Sequence, residues 1–279
     1  MNVPEYASWI NKKEIYFDQL TEVNSTRLHY TLNMSGKPPS LGEPVFPMAL
    51  FILGEPSVRP EELGEDGHPA RGGFMPPVPL KRRMFAGGDY EFFQPLKVGD
   101  DVDISWEISD ITRKTGSSGE LIIVDILREF SVKQELCIRE IRHIVYTDSK
   151  PNTRQPGKPE DHGDWVETLE SNPTQLFRYS ALTFNGHRIH YDRPYAMEVE
   201  GYPGLVVHGP LLATLLSLFA ERKSGRKLSK FCFRGKHPVF DLHEFTLTGS
   251  LKGKDSAELR VLDHQSQLAI TANAEFLPI

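Results

Sequence analysis

The densest group of side chains capable of acid–base chemistry lies in the segment YSALTFNGHRIHYDRP, residues 179–194. It contains Asn185, His187 and His190. Histidine is the side chain best suited to accept and donate a proton near neutral pH. A side-chain amide can hold a water or a substrate by hydrogen bonds. The segment therefore indicates a site of proton transfer, although each histidine taken singly could equally be structural.

The same segment predicts a rigid turn. An Asn-Gly pair favours a tight turn, and Ile189 is expected to point into the core. Asp192 is placed to cap a short helix that has Pro194 in its first turn and Gly201 at its end. A turn held between helical pieces would present its side chains in fixed positions.

Metal binding is the other use of clustered histidines. His187 and His190 are three positions apart, which fits one helical turn, and Asp192 is the only nearby residue spaced as a third ligand. Zinc and iron sites usually draw on three or four protein ligands. We therefore expect no metal site and keep zinc or iron as the alternative.

A second feature is the sequence VVHGPLLATLLSLF, residues 206–219. Pro210 suits the first turn of a helix, and the leucines that follow give that helix a wide apolar face. The N-terminus of a helix carries unpaired N–H groups and partial positive charge. Gly209 would let a thioester or carboxylate oxygen approach them, as in an oxyanion hole. The alternatives are a turn-forming glycine and a packed or exposed His208.

Two similar halves must position these groups. The stretch YTDSKPNTRQPGKPEDHGDW, residues 146–165, is rich in proline, glycine and charge and predicts a linker. We divide the chain into residues 1–149, a linker at 150–164, and residues 165–279. In each half an apolar run, FPMALFILG or HGPLLATLLSLFAERKSG, precedes several strand-like segments. This order predicts an α+β domain used twice, each with a central helix covered by a meandering antiparallel sheet.

The first half contains a long segment with little periodicity, GEPSVRPEELGEDGHPARGGFMPPVPLKRR, residues 54–83. It is too long for an ordinary connection in a compact domain. We interpret it as a flap over a ligand channel, with Arg82 and Arg83 at the exit of the channel. A disordered surface excursion is the alternative.

Composition excludes several classes of protein. The chain has 279 residues, of which 39% are hydrophobic and 25% charged, as in an ordinary globular protein. The net charge of -6 argues against a nucleic acid or an anionic membrane as partner. Cys137 and Cys232 lie outside any metal or redox spacing and are expected to be buried free thiols. We see no signal peptide and no membrane-spanning run, and expect a cytoplasmic protein.

The segment YSALTFNGHRIHYDRPYA, followed by EGYPGLVVHGPLLATLL, resembles the MaoC-like double-hotdog hydratases and dehydratases. The fit is best to the branch that includes itaconyl-CoA and 3-methylfumaryl-CoA hydratases and the mitochondrial 3-hydroxyacyl-thioester dehydratase. In the first half, FAGGDYEFFQPLKVGDDV resembles the sheet-entry segment of this branch. The resemblance implies an α+β double hotdog, that is, two hotdog folds in one chain.

The resemblance also implies roles. The wider family carries Asp-x-Asn-Pro-aliphatic-His, and here Asn185 stands at the Asp position, His187 at the Asn, Arg188 at the Pro and His190 at the His. His190 would then be the general base in hydration and the acid in dehydration. Asn185 would position water, His187 would orient His190, and the Gly209 N–H would polarise the thioester carbonyl. The first half has no such cluster and is expected to lack catalytic residues.

These roles imply a hydro-lyase that adds water reversibly across the 2,3 double bond of an enoyl-CoA. A short branched dicarboxylyl-CoA, itaconyl-CoA or 3-methylfumaryl-CoA, is the favoured substrate. The alternatives are a 3-hydroxyacyl-thioester dehydratase of fatty-acid synthesis and a non-catalytic module that binds acyl thioesters. No cofactor is expected beyond the coenzyme A of the substrate. Homo-oligomers of double-hotdog units and a mitochondrial location are both compatible with this interpretation.

A dicarboxylyl substrate needs a cation near its second carboxylate, because an unpaired buried charge is costly. Arginine binds carboxylates through two parallel hydrogen bonds. The predicted substrate-binding residues are Arg178, Tyr191, Arg188, Arg193, His208 and Arg234. We expect at least one of the four arginines, or Arg82 or Arg83, to point into the acyl end of the cavity.

Overall fold

The computed structural model describes residues 3–116, 119–149 and 159–278. Across these ranges ten strands form one antiparallel sheet. They are β1 (Lys13–Gln19), β2 (Arg82–Phe92), β3 (Asp101–Gly116), β4 (Gly119–Val132), β5 (Glu135–Thr147), β6 (Trp165–Leu169), β7 (Leu228–Gly235), β8 (Phe245–Leu251), β9 (Ser256–Leu262) and β10 (Leu268–Phe276). The strand-like segments predicted after each apolar run are all strands. The short edge strands β1 and β6 were not predicted.

The order of strands shows an internal two-fold relationship. The sheet reads β1-β3-β4-β5-β2-β7-β10-β9-β8-β6. The five strands of the second half therefore repeat, in reverse, the order of the five in the first. The halves are joined where β2 pairs antiparallel with β7, with Gly88 opposite Phe233 and Tyr90 opposite Phe231. One continuous sheet thus carries both halves.

The second half has the predicted central helix. Helices α1 (Glu22–Thr31) and α2 (Pro173–Leu182) occupy equivalent places in the two halves, and α3 is Gly209–Ser224. Half of the sixteen residues of α3 are buried, because the strands of the second half cover it. It ends at Gly225, whose φ of 68° places it in the left-handed conformation common at helix ends.

The central helix predicted for the first half is much shorter than expected. FPMALFILG forms a 3-10 helix over only Pro47–Ile52, and all its residues from Met48 to Leu53 are buried. Gly54 follows with a φ of 67°, and Pro56 comes two residues later. Both residues oppose a longer helix. The two halves are therefore asymmetric, with a six-residue helix in the first and a sixteen-residue helix in the second.

The predicted linker falls largely on residues 150–158, which lie outside the described ranges. Its last residues are attached to the sheet: Gly163 N donates to Thr248 Oγ1 at 2.7 Å. Cys137 is buried and Cys232 half-buried, and both are free thiols. Among the residues described, no helix is long and apolar enough to cross a membrane.

Candidate active site

The Asn-Gly-His-Arg-Ile-His segment forms the predicted turn at the end of α2. Asn185 Oδ1 accepts a hydrogen bond from His187 N at 3.0 Å, which closes the turn. Ile189 is buried in the core. Asp192 Oδ1 accepts from Tyr195 N at 3.1 Å at the start of a π-helical turn. The side chains that follow Asn185 are therefore held by local hydrogen bonds and by packing.

His190 has the geometry of a general base. Its Nδ1 lies 2.7 Å from the carbonyl oxygen of Val206. A carbonyl can only accept, so Nδ1 carries the hydrogen and Nε2 keeps its lone pair. Burial lowers the pKa of His190 to about 4, although the bond to Val206 opposes the shift. At neutral pH the ring in the cavity wall is therefore uncharged and able to accept a proton.

His208 supports His190 from behind. The two rings are stacked with their centroids 3.7 Å apart. His208 Nε2 is hydrogen-bonded to Ser180 Oγ at 2.8 Å, and its side chain is fully buried. Burial, with the neighbouring His190 and His187, lowers the pKa of His208. We predicted a substrate-binding role for His208, but its place behind His190 makes it a support for that ring.

Gly209 begins α3 immediately after His208 and lines the cavity. Its N–H belongs to the first turn, where backbone donors have no acceptor within the helix. The sixteen residues of α3 direct a partial positive charge toward this end. Because His208 stacks on His190, the helix start and the base share one wall of the cavity. That juxtaposition can stabilise an oxyanion beside a proton acceptor.

The first half contributes a histidine that the sequence analysis missed. The His68 ring lies 4.6 Å from that of His187, centroid to centroid. His187 in turn contacts His190 edge to face, with centroids 5.5 Å apart. Four imidazoles, from His68 to His208, thus form a continuous row. The first half, which we expect to lack catalytic residues, therefore places one histidine in contact with the site.

The long segment of the first half is bound to the catalytic turn. Arg188 N donates to Asp66 O at 3.0 Å, and Arg188 Nη1 donates to Glu65 O at 3.1 Å. The backbones of Gly67 and Gly186 are in direct contact, since a Cβ on Gly67 would lie 2.0 Å from Gly186 O. Residues of this segment line the cavity over much of its length. These contacts support its interpretation as a flap.

The cavity has a volume of about 1580 Å³ and extends from the histidine row into the first half. Large apolar side chains also line it: Phe51, Phe85, Trp106, Ile126 and Ile144. Within the described part of the chain, no group of three or more His, Cys, Asp or Glu side chains could hold a metal ion. The site therefore consists of imidazoles, a helix N-terminus and a large cavity.

The four arginines predicted from the second half do not lie in the cavity wall. Arg178 is exposed on α2. Arg188 pairs with Asp192 at 2.7 Å, and Arg234 pairs with Asp89 at 2.8 Å. Arg193 pairs with Asp241. Each paired guanidinium is directed to an acidic neighbour.

Four other arginines, Arg71, Arg82, Arg83 and Arg142, do line the cavity. Arg82 and Arg83 were predicted at this position as part of the flap. Their acidic partners are Glu200 at 2.7 Å and Asp66 at 3.1 Å respectively. The arginines that line the cavity therefore come from the first half. Tyr191 also lies in the wall, and its hydroxyl donates to Gly186 O at 2.8 Å.

Arg71 and Arg142 were not foreseen. Arg142 is almost completely buried and pairs with Glu55 at 2.8 Å and with Glu140 at 3.1 Å. Arg71 donates to three backbone carbonyls, those of Val78, Leu80 and Lys81. Among the described residues no carboxylate forms a salt bridge with Arg71. Side chains alternate between the two faces of β5, so this alternation could have predicted that Arg142 points inward. No pattern in the sequence around Arg71 predicts its position in the cavity wall.

Residues 49–241, more than half of the chain, match the family model described as hydroxyacyl-thioester dehydratase type 2. The chain belongs to the type 2 hydroxyacyl-thioester dehydratase family. One relative, the mesaconyl-C(4)-CoA hydratase of Chloroflexus aurantiacus, is 38% identical over 278 residues, which cover 99% of each chain. Another family member, the mitochondrial enzyme of Schizosaccharomyces pombe, is 29% identical over 75% of this chain and 77% of its own.

Solved structures confirm the double hotdog fold of this family member. A MaoC-like dehydratase from Phytophthora capsici superimposes with a TM-score of 0.73 at 13% identity, covering all of both chains. HtdX of Mycobacterium tuberculosis gives 0.69 at 17% identity, over 95% of this chain and all of its own. A further Mycobacterium tuberculosis protein described as a double hotdog gives 0.57 at 11%, over 96% of both chains.

Membership of this family makes the chain a hydro-lyase. The MaoC-like branch suggested by its motifs is confirmed by the same relatives. The two named relatives are a hydratase and a dehydratase, which are the two directions of one reaction. A neutral imidazole beside a helix N-terminus is suited to either direction, because it can take a proton from water or return one to it.

Proposed function

We propose that the protein hydrates a short dicarboxylyl-CoA reversibly, with 3-methylfumaryl-CoA, also called mesaconyl-C4-CoA, as its first candidate substrate. The observation that carries the reaction type is that His190, whose Nδ1 is bound to Val206 O, and Gly209, the first residue of α3, both line one cavity. The substrate is suggested by the relative of Chloroflexus aurantiacus, whose similarity extends over 99% of both chains. Itaconyl-CoA has the same chemical character and is the second candidate.

The reaction needs one base and one oxyanion site. The thioester oxygen lies at the N-terminus of α3, where the Gly209 N–H stabilises the enolate that forms. His190 Nε2 takes a proton from water, and the oxygen of that water bonds to C3. The imidazolium then gives its proton to C2. One water is consumed and His190 returns to its neutral form.

Asn185 replaces the carboxylate of the wider family and has a different function. An amide cannot take up a proton at neutral pH, and its oxygen already accepts from His187 N. The Nδ2 hydrogens remain to hold water at the cavity wall, which Asn185 lines. Proton transfer therefore rests on the histidines alone, and Asn185 fixes the turn that presents them.

A dehydratase of fatty-acid synthesis is the alternative function, favoured by the apolar side chains of the cavity wall. Those side chains and the volume of about 1580 Å³ would accommodate a long acyl chain. Against it, Arg71, Arg83 and Arg142 also line the wall, and guanidinium groups suit a carboxylate better than an alkyl chain.

A substrate panel separates the two candidates. Initial rates of hydration should be measured with 3-methylfumaryl-CoA, itaconyl-CoA, crotonyl-CoA and a long-chain enoyl-CoA. We expect the highest kcat/KM with a dicarboxylyl thioester. A steady rise of kcat/KM with chain length, and no turnover of either dicarboxylyl substrate, would establish the dehydratase instead.

A further inference from the structure

The position of the second carboxylate of a short dicarboxylyl-CoA is fixed by its covalent structure. In 3-methylfumaryl-CoA this carboxylate is attached to C3, the carbon that receives water. Three carbon–carbon bonds separate it from the thioester carbon, so the two groups are only about 4 Å apart. The carboxylate must therefore lie beside the catalytic histidines. This step rests on the proposed function.

The row of histidines shows which way the acyl group extends. The thioester oxygen is at Gly209, and C3 is opposite His190. On one side of His190 the buried ring of His208 closes the site. From His190 the ring contacts lead to His187 and then to His68, both of which line the cavity. We propose that His68, from the first half, binds the carboxylate on C3 together with His187 of the catalytic turn and so determines specificity for dicarboxylyl substrates.

Both rings are available for this contact. Among the residues that the structure describes, neither the His68 ring nor the His187 ring has a hydrogen-bond partner. Both residues line the cavity, and neither ring has a completely buried nitrogen that lacks a partner. A neutral imidazole carries one N–H donor. Two such donors at 4.6 Å between ring centroids can converge on the two oxygens of one carboxylate.

The charge of the surroundings favours an anion. Burial lowers the pKa of His68, and the positive charges of Arg83, Arg142 and Arg71 lower it further. Arg83 and Arg142 have acidic partners. Arg71 donates to backbone carbonyls, and no salt bridge to it is formed within the described ranges. A carboxylate bound at His68 would offset that charge.

Two saturated thioesters test the proposal without catalysis. Succinyl-CoA and butyryl-CoA differ only in having a carboxylate or a methyl group on C3. We expect the wild-type protein to bind succinyl-CoA more tightly in isothermal titration calorimetry. His68→Phe keeps a ring against His187 but removes the donor, so it should weaken succinyl-CoA binding roughly 10- to 100-fold. Butyryl-CoA affinity should hardly change.

Two further variants keep the result interpretable. His68→Gln retains an N–H donor and should keep part of the preference for succinyl-CoA, even if the phenylalanine variant folds poorly. His243→Phe replaces an exposed histidine outside the cavity wall and should change neither affinity. Equal weakening of both thioesters, or an unchanged preference in His68→Phe, would overturn the proposal. Because these ligands do not react, the result is independent of whether 3-methylfumaryl-CoA is turned over.

Discussion

The imidazole of His190 is stacked on that of His208, with ring centroids 3.7 Å apart. His208 is also the residue that precedes the first turn of α3 and is bound to Ser180 on α2. The position of the base is therefore coupled to the two helices that frame the site. A shift of either helix would move the base and the oxyanion site together, which preserves their separation.

Removal of the base should abolish most activity. His190→Ala should lower kcat by about 10²–10⁴-fold, the usual contribution of a positioned acid–base group. Hydration of the best substrate, followed by absorbance of the enoyl thioester, measures the effect. Circular dichroism should show an unchanged fold. A variant with near-wild-type kcat would exclude His190 as the base.

The pH dependence should reveal an unusually weak base. Burial lowers the pKa of His190 to about 4, and the ring must be unprotonated to accept a proton from water. In the hydration direction kcat/KM should therefore stay level from pH 8 to about pH 5 and fall as the pH approaches 4. An inflection near 6.5, the ordinary value for histidine, would contradict this picture.

Stability should also decrease in acid. The pKa of His190 in the folded protein is below its value in the unfolded chain, so unfolding takes up protons below pH 6.5. This ring alone should cost about 2 kcal/mol of unfolding free energy between pH 8 and pH 5. His68, His187 and His208 shift in the same direction. Urea denaturation should show this loss, and a smaller one in His190→Phe; identical pH slopes would disprove the contribution.

The contact between Gly67 and Gly186 should be essential for docking of the flap. Gly67 has a φ of 85°, and a Cβ there would meet Gly186 O. Gly67→Ala should therefore displace His68 and lower kcat/KM at least about tenfold, a loss of about 1.4 kcal/mol. Gly72→Ala is the matched control: its φ is 95°, but its Cβ would meet nothing closer than 3.9 Å. If both variants behave alike, backbone strain and not docking explains the effect.

Asn185→Asp tests the division of labour in the turn. A carboxylate can still accept from His187 N, so the turn should persist. We expect measurable activity, with the acid limb of the pH profile moved upward because a nearby negative charge raises the pKa of His187 and His190. Inactivity as complete as that of His190→Ala would show that the amide N–H of Asn185 is required.

Much of the fold followed from local patterns. The alternation of residues such as Phe245, Leu247 and Gly249 predicted β8, and the apolar face after Pro210 predicted α3. The short edge strand β6 was missed because the residue types of Trp165–Leu169 do not alternate between apolar and polar, although their exposure in the sheet does. In the first half the apolar run was correctly placed in the core. The length of its helix was overestimated, because Gly54 and Pro56 prevent the helix from continuing.

The site was predictable only in part, because its members come from both halves. Asn185, His187 and His190 form a local motif, whereas His68 meets His187 across more than a hundred residues of sequence. A contact between residues so far apart in sequence cannot be predicted from the spacing of residues within a short segment. For Arg188 the sequence itself indicated another partner, because Arg188 and Asp192 are four residues apart, a spacing typical of a surface ion pair.

The repeated strand order has a consequence for how this protein can diverge. In a dimer of two identical chains every substitution occurs twice, once at each symmetry-related site. Here the two copies are joined, and a substitution in one leaves the other unchanged. The two copies can thus differ, as in the sixteen-residue helix of one and the six-residue helix of the other. A substitution at His68 can therefore change what the cavity binds without a matching substitution in the half that carries His190.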